Sequence, residues 1–157
     1  MNKQNKQEKW DRRFLQMAKL TSTWSKDPST QCGAVITRGN RVVSLGFNGF
    51  PRGINDSPEL YKNRDLKLKI VLHGEENAIL FANTNLEGCT IHVWPMPPCC
   101  GCASQIIQSG IKRVVTVFPS SELLNRWGED FDIAKTMYAK VGIEFKQYTF
   151  DYINQGI

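Results

Sequence analysis

Two short segments carry residue types that can do chemistry. One is His73-Gly74-Glu75; the other is Pro98-Cys99-Cys100-Gly101-Cys102. Cys99 and Cys102 stand one helical turn apart, so both thiols can face one point. Cys100 is rotated by roughly 100° in the same helix and cannot easily join them. Pro98 lies just before the first turn, where free N–H groups and the helix dipole favour thiolate over thiol. His73 and Glu75 stand at a second helix entry. Two thiolates and one imidazole make three donors for a single Zn²⁺. A structural zinc site is normally closed by a fourth protein ligand, while a catalytic one keeps that position for water. Zinc brings the pKa of water from 15.7 to roughly 7 in favourable sites. Glu75 is too close to His73 in sequence for a fourth ligand and suits proton transfer between water and a leaving group.

The rest of the chain must position these segments. Trp10, Phe14, Met17, Ala18, Leu20 and Trp24 recur at helical spacing and predict a helix over 10–25. Asp27-Pro28 ends it. Strands are expected over 33–37 and 41–47, with a hairpin turn at Gly39-Asn40. Residues 48–69 read as a loop long enough to be functional or to carry a short helix. Further helices are expected over 75–82, 99–109 and 123–140, and further strands over 90–94, 114–118 and 143–148. Gly110 and Gly142 are the helix stops. The order α-β-β-α-β-α-β-α-β predicts an α/β fold, a three-layer α/β/α sandwich around a five-stranded mixed sheet. Loops at the C-terminal ends of its strands are the expected place for a site. Residues 1–9 and 149–157 are expected to be loose tails.

Composition narrows the classes. A chain of 157 residues is the length of one domain and buries roughly 70% of its unfolded surface. With 41% hydrophobic and 22% charged residues, it is no disordered tail, collagen-like repeat or coiled-coil rod. No apolar run reaches the roughly 18–20 residues of a membrane span, and Met1 to Lys9 lacks the pattern of a secretory signal. A cytoplasmic protein is expected. The net charge of +5 suits phosphate-bearing partners without choosing among them. Of the five cysteines, Cys32, Cys89, Cys99, Cys100 and Cys102, three crowd into four residues, a pattern of metal binding or redox chemistry rather than structural disulfides. Cys32, Cys89 and His92 read as core or strand residues, and Cys100 as a small packed side chain.

H-x-E followed by P-C-x-x-C is the signature of zinc nucleobase deaminases. The chain resembles the deoxycytidylate deaminase family of the cytidine deaminase superfamily over residues 10–145. The resemblance also rests on Ser25-Lys26-Asp27-Pro28-Ser29-Thr30-Gln31, Gly46-Phe47-Asn48-Gly49-Phe50-Pro51-Arg52-Gly53, His73 through Leu80, and Ile106 through Lys112. It implies hydrolytic deamination of dCMP to dUMP, with His73, Cys99 and Cys102 as zinc ligands and Glu75 as proton shuttle. It implies that Asn48 hydrogen-bonds the deoxyribose, and that Lys26 and Arg52 are candidates for the phosphate. It further implies a homo-oligomer, a hexamer in many members, switched by dCTP and dTTP with Mg²⁺, with Phe50 and Pro51 in the effector loop. Gly74 stands where the family commonly has alanine, and the missing methyl is expected to give room beside the base. Trp127 either stacks on the base or is a core residue of its helix.

Rival readings remain. The substrate could be dCTP, a 5-substituted dCMP or RNA; a mononucleotide suits the segments above better than a polynucleotide. A zinc-stabilised binding module would have no need of Glu75. A redox C-x-x-C protein would not retain stoichiometric zinc.

Overall fold

Alternation along the strands builds the molecule. Ala34, Ile36, Ile91, Val93 and Val114 point to one face of the sheet; Val35, Val115 and Val117 point to the other. A sheet apolar on both faces must be covered on both. The computed structural model describes residues 2–156. The elements are α1 (Lys3–Ser22), β1 (Gly33–Arg38), β2 (Arg41–Phe47), α2 (Pro58–Lys62), α3 (Arg64–Ile70), α4 (Gly74–Phe81), β3 (Thr90–Trp94), α5 (Cys100–Gln108), β4 (Arg113–Val117), α6 (Ser121–Val141), β5 (Glu144–Tyr148) and α7 (Phe150–Asn154). Sheet order is β2-β1-β3-β4-β5. β1 is antiparallel to β2 and β3, whereas β3, β4 and β5 run parallel. The fold is therefore the α/β sandwich with a five-stranded mixed sheet. No helix of the described residues is long and apolar enough to cross a membrane.

Ala78 of α4, Ala103 and Ile106 of α5, and Ala134 and Tyr138 of α6 fill one face. Phe14, Leu15 and Ala18 of α1, with Ile153 of α7, fill the other. Helix α4 lies so close to β2 that a Cβ on Gly46 would collide with the backbone of Ala78 and Gly74. That contact sets the height of the His73-Gly74-Glu75 turn above the sheet.

On the α1 face a carboxylate is sealed in. Asp11 is fully buried. It accepts two bonds from the Arg113 guanidinium at 2.6 and 2.7 Å, one from Tyr148 Oη at 2.7 Å and one from Gln7 Nε2 at 3.0 Å. Burial pushes its carboxyl up, but these bonds and His92 hold it well below the usual range. The cluster staples α1 to β4 and β5.

The described residues of both expected tails are helical or docked, not loose. Residues 3–9 form the first turns of α1, because Asn2 caps the helix by accepting from Asn5 N at 2.8 Å and the run of Lys, Gln and Glu favours helix. Residues 149–156 dock through the fully buried Ile153, with Gln16 Nε2 donating to the Ile153 and Gln155 carbonyls. Residues 1 and 157 of the expected tails lie outside the described residues. The loop over 48–69 carries two short helices, started by Ser57 and Asn63 side chains that accept from Leu60 N and Leu66 N.

Candidate active site

Two helix starts meet at the C-terminal end of β3. His73 is the N-cap of α4 and Cys99 the N-cap of α5. His73 Nδ1 lies 3.4 Å from Cys99 Sγ and 3.3 Å from Cys102 Sγ. The three ligand atoms all lie within 4.8 Å of one another. A tetrahedral zinc with bonds of about 2.0–2.3 Å spaces such donors by roughly 3.5 Å, so the donor set fits in kind and in spacing. Cys102 N donates to Cys99 Sγ at 3.4 Å, closing the first turn of α5 with a ligand sulfur. Glu76 Oε1 stands 4.0 Å from both His73 Nδ1 and Cys102 Sγ, beside the triad and outside it.

The triad is electrostatically set for a cation. Hydrogen bonding from Cys102, and then from His73, pulls the Cys99 thiol down to about 4 against the burial that opposes it. Its bond to Cys99 lifts His73 to about 9. The Cys102 thiol is pushed up, first by Cys99 and then by burial. A divalent ion bound here would hold both sulfurs deprotonated. Glu75 is buried on the first turn of α4. Burial raises its carboxyl, and His73 offsets this only in part.

His73, Cys99 and Glu75 line one pocket, whose far walls are α3 and α6. Residues 8–118 match the family model described as "Cytidine and deoxycytidylate deaminase zinc-binding region". The chain belongs to this family. It is 48% identical over 145 residues to the "Uncharacterized deaminase in luxG 3'region" of Aliivibrio fischeri, covering 92% of this chain and 97% of that one. It is 34% identical over 150 residues to the deoxycytidylate deaminase of Mus musculus, covering 91% and 82%. The dCMP deaminase from the cyanophage S-TIM5, solved in complex with dCMP and dUMP, shares the fold at a TM-score of 0.69 and 21% identity, covering 94% of this chain and 99% of that one.

Within this deaminase-family fold the other expected site residues part ways. Asn48 lines the pocket, with its amide already engaged: Oδ1 accepts from Cys32 N at 2.8 Å and Nδ2 donates to Thr30 O at 2.9 Å. Trp127 lines the α6 wall, half-buried, rather than the core. Lys26 does not reach the pocket. Its side chain is 70% exposed and pairs with Asp56 at 3.1 Å, because Asp27 beside it turns inward to receive Ser29 N. Arg52 is exposed and lies over the Phe81 ring, away from the pocket. Gly74 gives no room beside a base: a Cβ there would stand 3.4 Å from the Cys32 and Gly46 carbonyl oxygens, between helix and strands. Phe50 packs on Tyr61 with ring centroids 4.5 Å apart, and neither it nor Pro51 lines the pocket.

Several pocket residues were missed in the sequence. Lys67 and Asp27 form a buried ion pair at 2.8 Å in its wall. Arg64 and Arg126 line it without such a partner; Arg126 Nη2 meets Thr30 Oγ1 at 3.2 Å and Glu122 at 3.9 Å. Asp27 lies in a segment that marks the resemblance, which was the one signal available.

Proposed function

We propose that the chain converts dCMP and water to dUMP and ammonia, supplying dUMP for thymidylate synthesis. The observation that carries this reading is a buried carboxyl, Glu75, lining the same pocket as His73 and Cys99 of the donor triad. His73, Cys99 and Cys102 would hold the zinc. Zinc bound there supplies the Lewis acidity that makes water nucleophilic near neutral pH. Glu75 relays both protons of the attacking water, the first to ring N3 and the second to the departing amine, and ends ionised as it began. Its burial-raised carboxyl suits a group that must both take and give a proton.

The remaining walls fit the parts of a nucleotide. Trp127, Phe131 and Met96 offer apolar surface to a flat base. Asn48, held by its bonds to Cys32 N and Thr30 O on the pocket lining, is assigned to the sugar. Arg64 and Arg126, rather than Lys26 and Arg52, take the phosphate, since Lys67 is neutralised by Asp27. Relatives named deoxycytidylate deaminase support the choice of dCMP.

Ammonia release from the zinc-loaded protein tests this with dCMP, dCTP, CMP, deoxycytidine, 5-methyl-dCMP and cytosine. The highest kcat/KM is expected for dCMP, at least about tenfold above deoxycytidine, a gap of ~1.4 kcal/mol. No ammonia from dCMP would overturn the assignment. Adding dCTP or dTTP with Mg²⁺ to the same assay tests the effector reading, and gel filtration tests the hexamer.

A further inference from the structure

The first turn of α5 carries two of the three donors, and it is held from outside by one carboxylate. Cys100 N donates to Asp130 Oδ2 at 2.6 Å, and the Cys100 thiol donates to Asp130 Oδ1 at 3.0 Å. Both oxygens therefore grip the residue next to Cys99, within the Cys99–Cys102 span. Among the described residues these are the only hydrogen bonds between α5 and α6. They also divide the free donors of the helix start: Cys99 Sγ takes Cys102 N, and Asp130 takes Cys100 N.

Asp130 is half-buried on α6. Trp127, one turn before it, and Phe131, next to it, both line the pocket. Apolar packing between α5 and α6 fixes how near the helices lie but is non-directional. It does little to stop α5 from rotating or sliding, and a small rotation moves both sulfurs relative to His73. Two bonds to one carboxylate remove that freedom.

We propose that Asp130 is a positioning residue that registers the sulfur-bearing turn of α5 against the pocket wall of α6. It keeps Cys99 and Cys102 in one spatial relation to Trp127 and Phe131. This rests on reading the triad as the zinc site, and the test separates the two. Zinc affinity is measured by chelator competition on the full chain, and the thiolate-to-metal absorption band is recorded after exchange to Co²⁺. Asp130→Ala is expected to weaken zinc binding about 10–100-fold, the range for losing a group that orients a ligand, and to shift the cobalt band. Cys100→Ala keeps the backbone bond and is expected to weaken zinc by less than about threefold, a ~0.7 kcal/mol effect. An Asp130→Ala protein with zinc affinity within twofold of wild type and an unshifted band overturns the proposal. Should that variant fail to fold, Asp130→Leu, which keeps the bulk and removes both acceptors, decides on the same two readouts, and unchanged affinity and band again overturn the proposal. A wild-type protein that binds neither metal overturns the zinc reading and this proposal together; equal binding by wild type and variant overturns this proposal alone.

Discussion

Asp11 beneath the α1 face and Glu75 at the pocket are both buried carboxyls, and both lose solvation. Their protons nonetheless behave oppositely. Asp11 accepts four hydrogen bonds, two from the Arg113 guanidinium, and its carboxyl is held well below the usual range. Glu75 has no cation of that kind, only the neighbouring His73, and its carboxyl is pushed up. The Asp11 cluster is closed: the carboxylate is fully buried and its hydrogen-bond donors are all side chains of the protein. The His73, Cys99 and Cys102 donors find mainly one another, at the edge of a pocket. Burial by itself therefore does not mark a site. A charge whose partners are all supplied by the protein is a staple; donors that converge and leave room for something else are a site.

Glu75→Gln attacks this contrast most directly and has the largest expected effect. The amide keeps the shape but cannot carry the proton. The expectation is a fall in kcat of about 10²–10⁴, with zinc content and Tm unchanged. Wild-type turnover would place Glu75 in the same inert class as Asp11.

Asp11→Ala should do the reverse. Removing one partner from a buried pair costs about 3–5 kcal/mol, read from urea unfolding at pH 7, while kcat per folded molecule stays put. The pH dependence has a definite sign. Because the folded carboxyl sits below its ordinary value of about 3.9, its contribution is complete above that pH. It is lost only as the pH falls through the lower folded value. The stability gap between wild type and variant should therefore be constant from pH 7 to about 5 and close only in strong acid. A gap that closes near neutrality would show that Asp11 is not held by Arg113.

The two regions were unequally legible in the sequence. The donor triad and Glu75 could be read because their spacings are local: His73 to Glu75, and Cys99 to Cys102. The elements around them followed from apolar periodicity, and the register-bearing strands came out within a residue or two. Pairings across the chain were not legible. Lys67 sits in Lys67-Leu68-Lys69, which reads as a solvated charge run, yet it reaches Asp27 forty residues away. Arg113 begins a strand and gives no hint that Asp11, on the first helix, needs it. The start of α1 was missed because residues 3–9 have no apolar period; its cause is the Asn2 cap. Helix α7 is only five residues long, too short for an apolar period to show, and what holds it comes from distant parts of the chain: Trp94 against Phe150 and Gln16 on the Ile153 carbonyl.

Substrate charge gives the next, smaller test. Arg64→Ala and Arg126→Ala should each raise KM for dCMP about tenfold, or ~1.4 kcal/mol, and leave deoxycytidine little changed. An equal loss for both substrates would mean that these residues shape the wall and do not meet the phosphate.

Lys26→Ala and Arg52→Ala are expected to do least, and they sharpen the contrast by what they leave intact. Lys26 is a neighbour of Asp27 in sequence and its opposite in placement: its ammonium is in solvent with Asp56, a pair of the kind that contributes about 0–1 kcal/mol. Arg52 covers Phe81 from outside. Neither lines the pocket, so KM for dCMP should move by less than about twofold, or ~0.4 kcal/mol. Stability should stay within about 0.5 kcal/mol of wild type. A tenfold rise in KM from either would mean that the loop carrying it, 23–32 for Lys26 or 48–57 for Arg52, swings over the mouth when substrate binds, bringing its own charge. The line between satisfied and converging groups would then have to be redrawn for the bound state. Measuring both variants with dCMP and deoxycytidine distinguishes that swing, which affects only the phosphate-bearing substrate, from a general loosening of the segment.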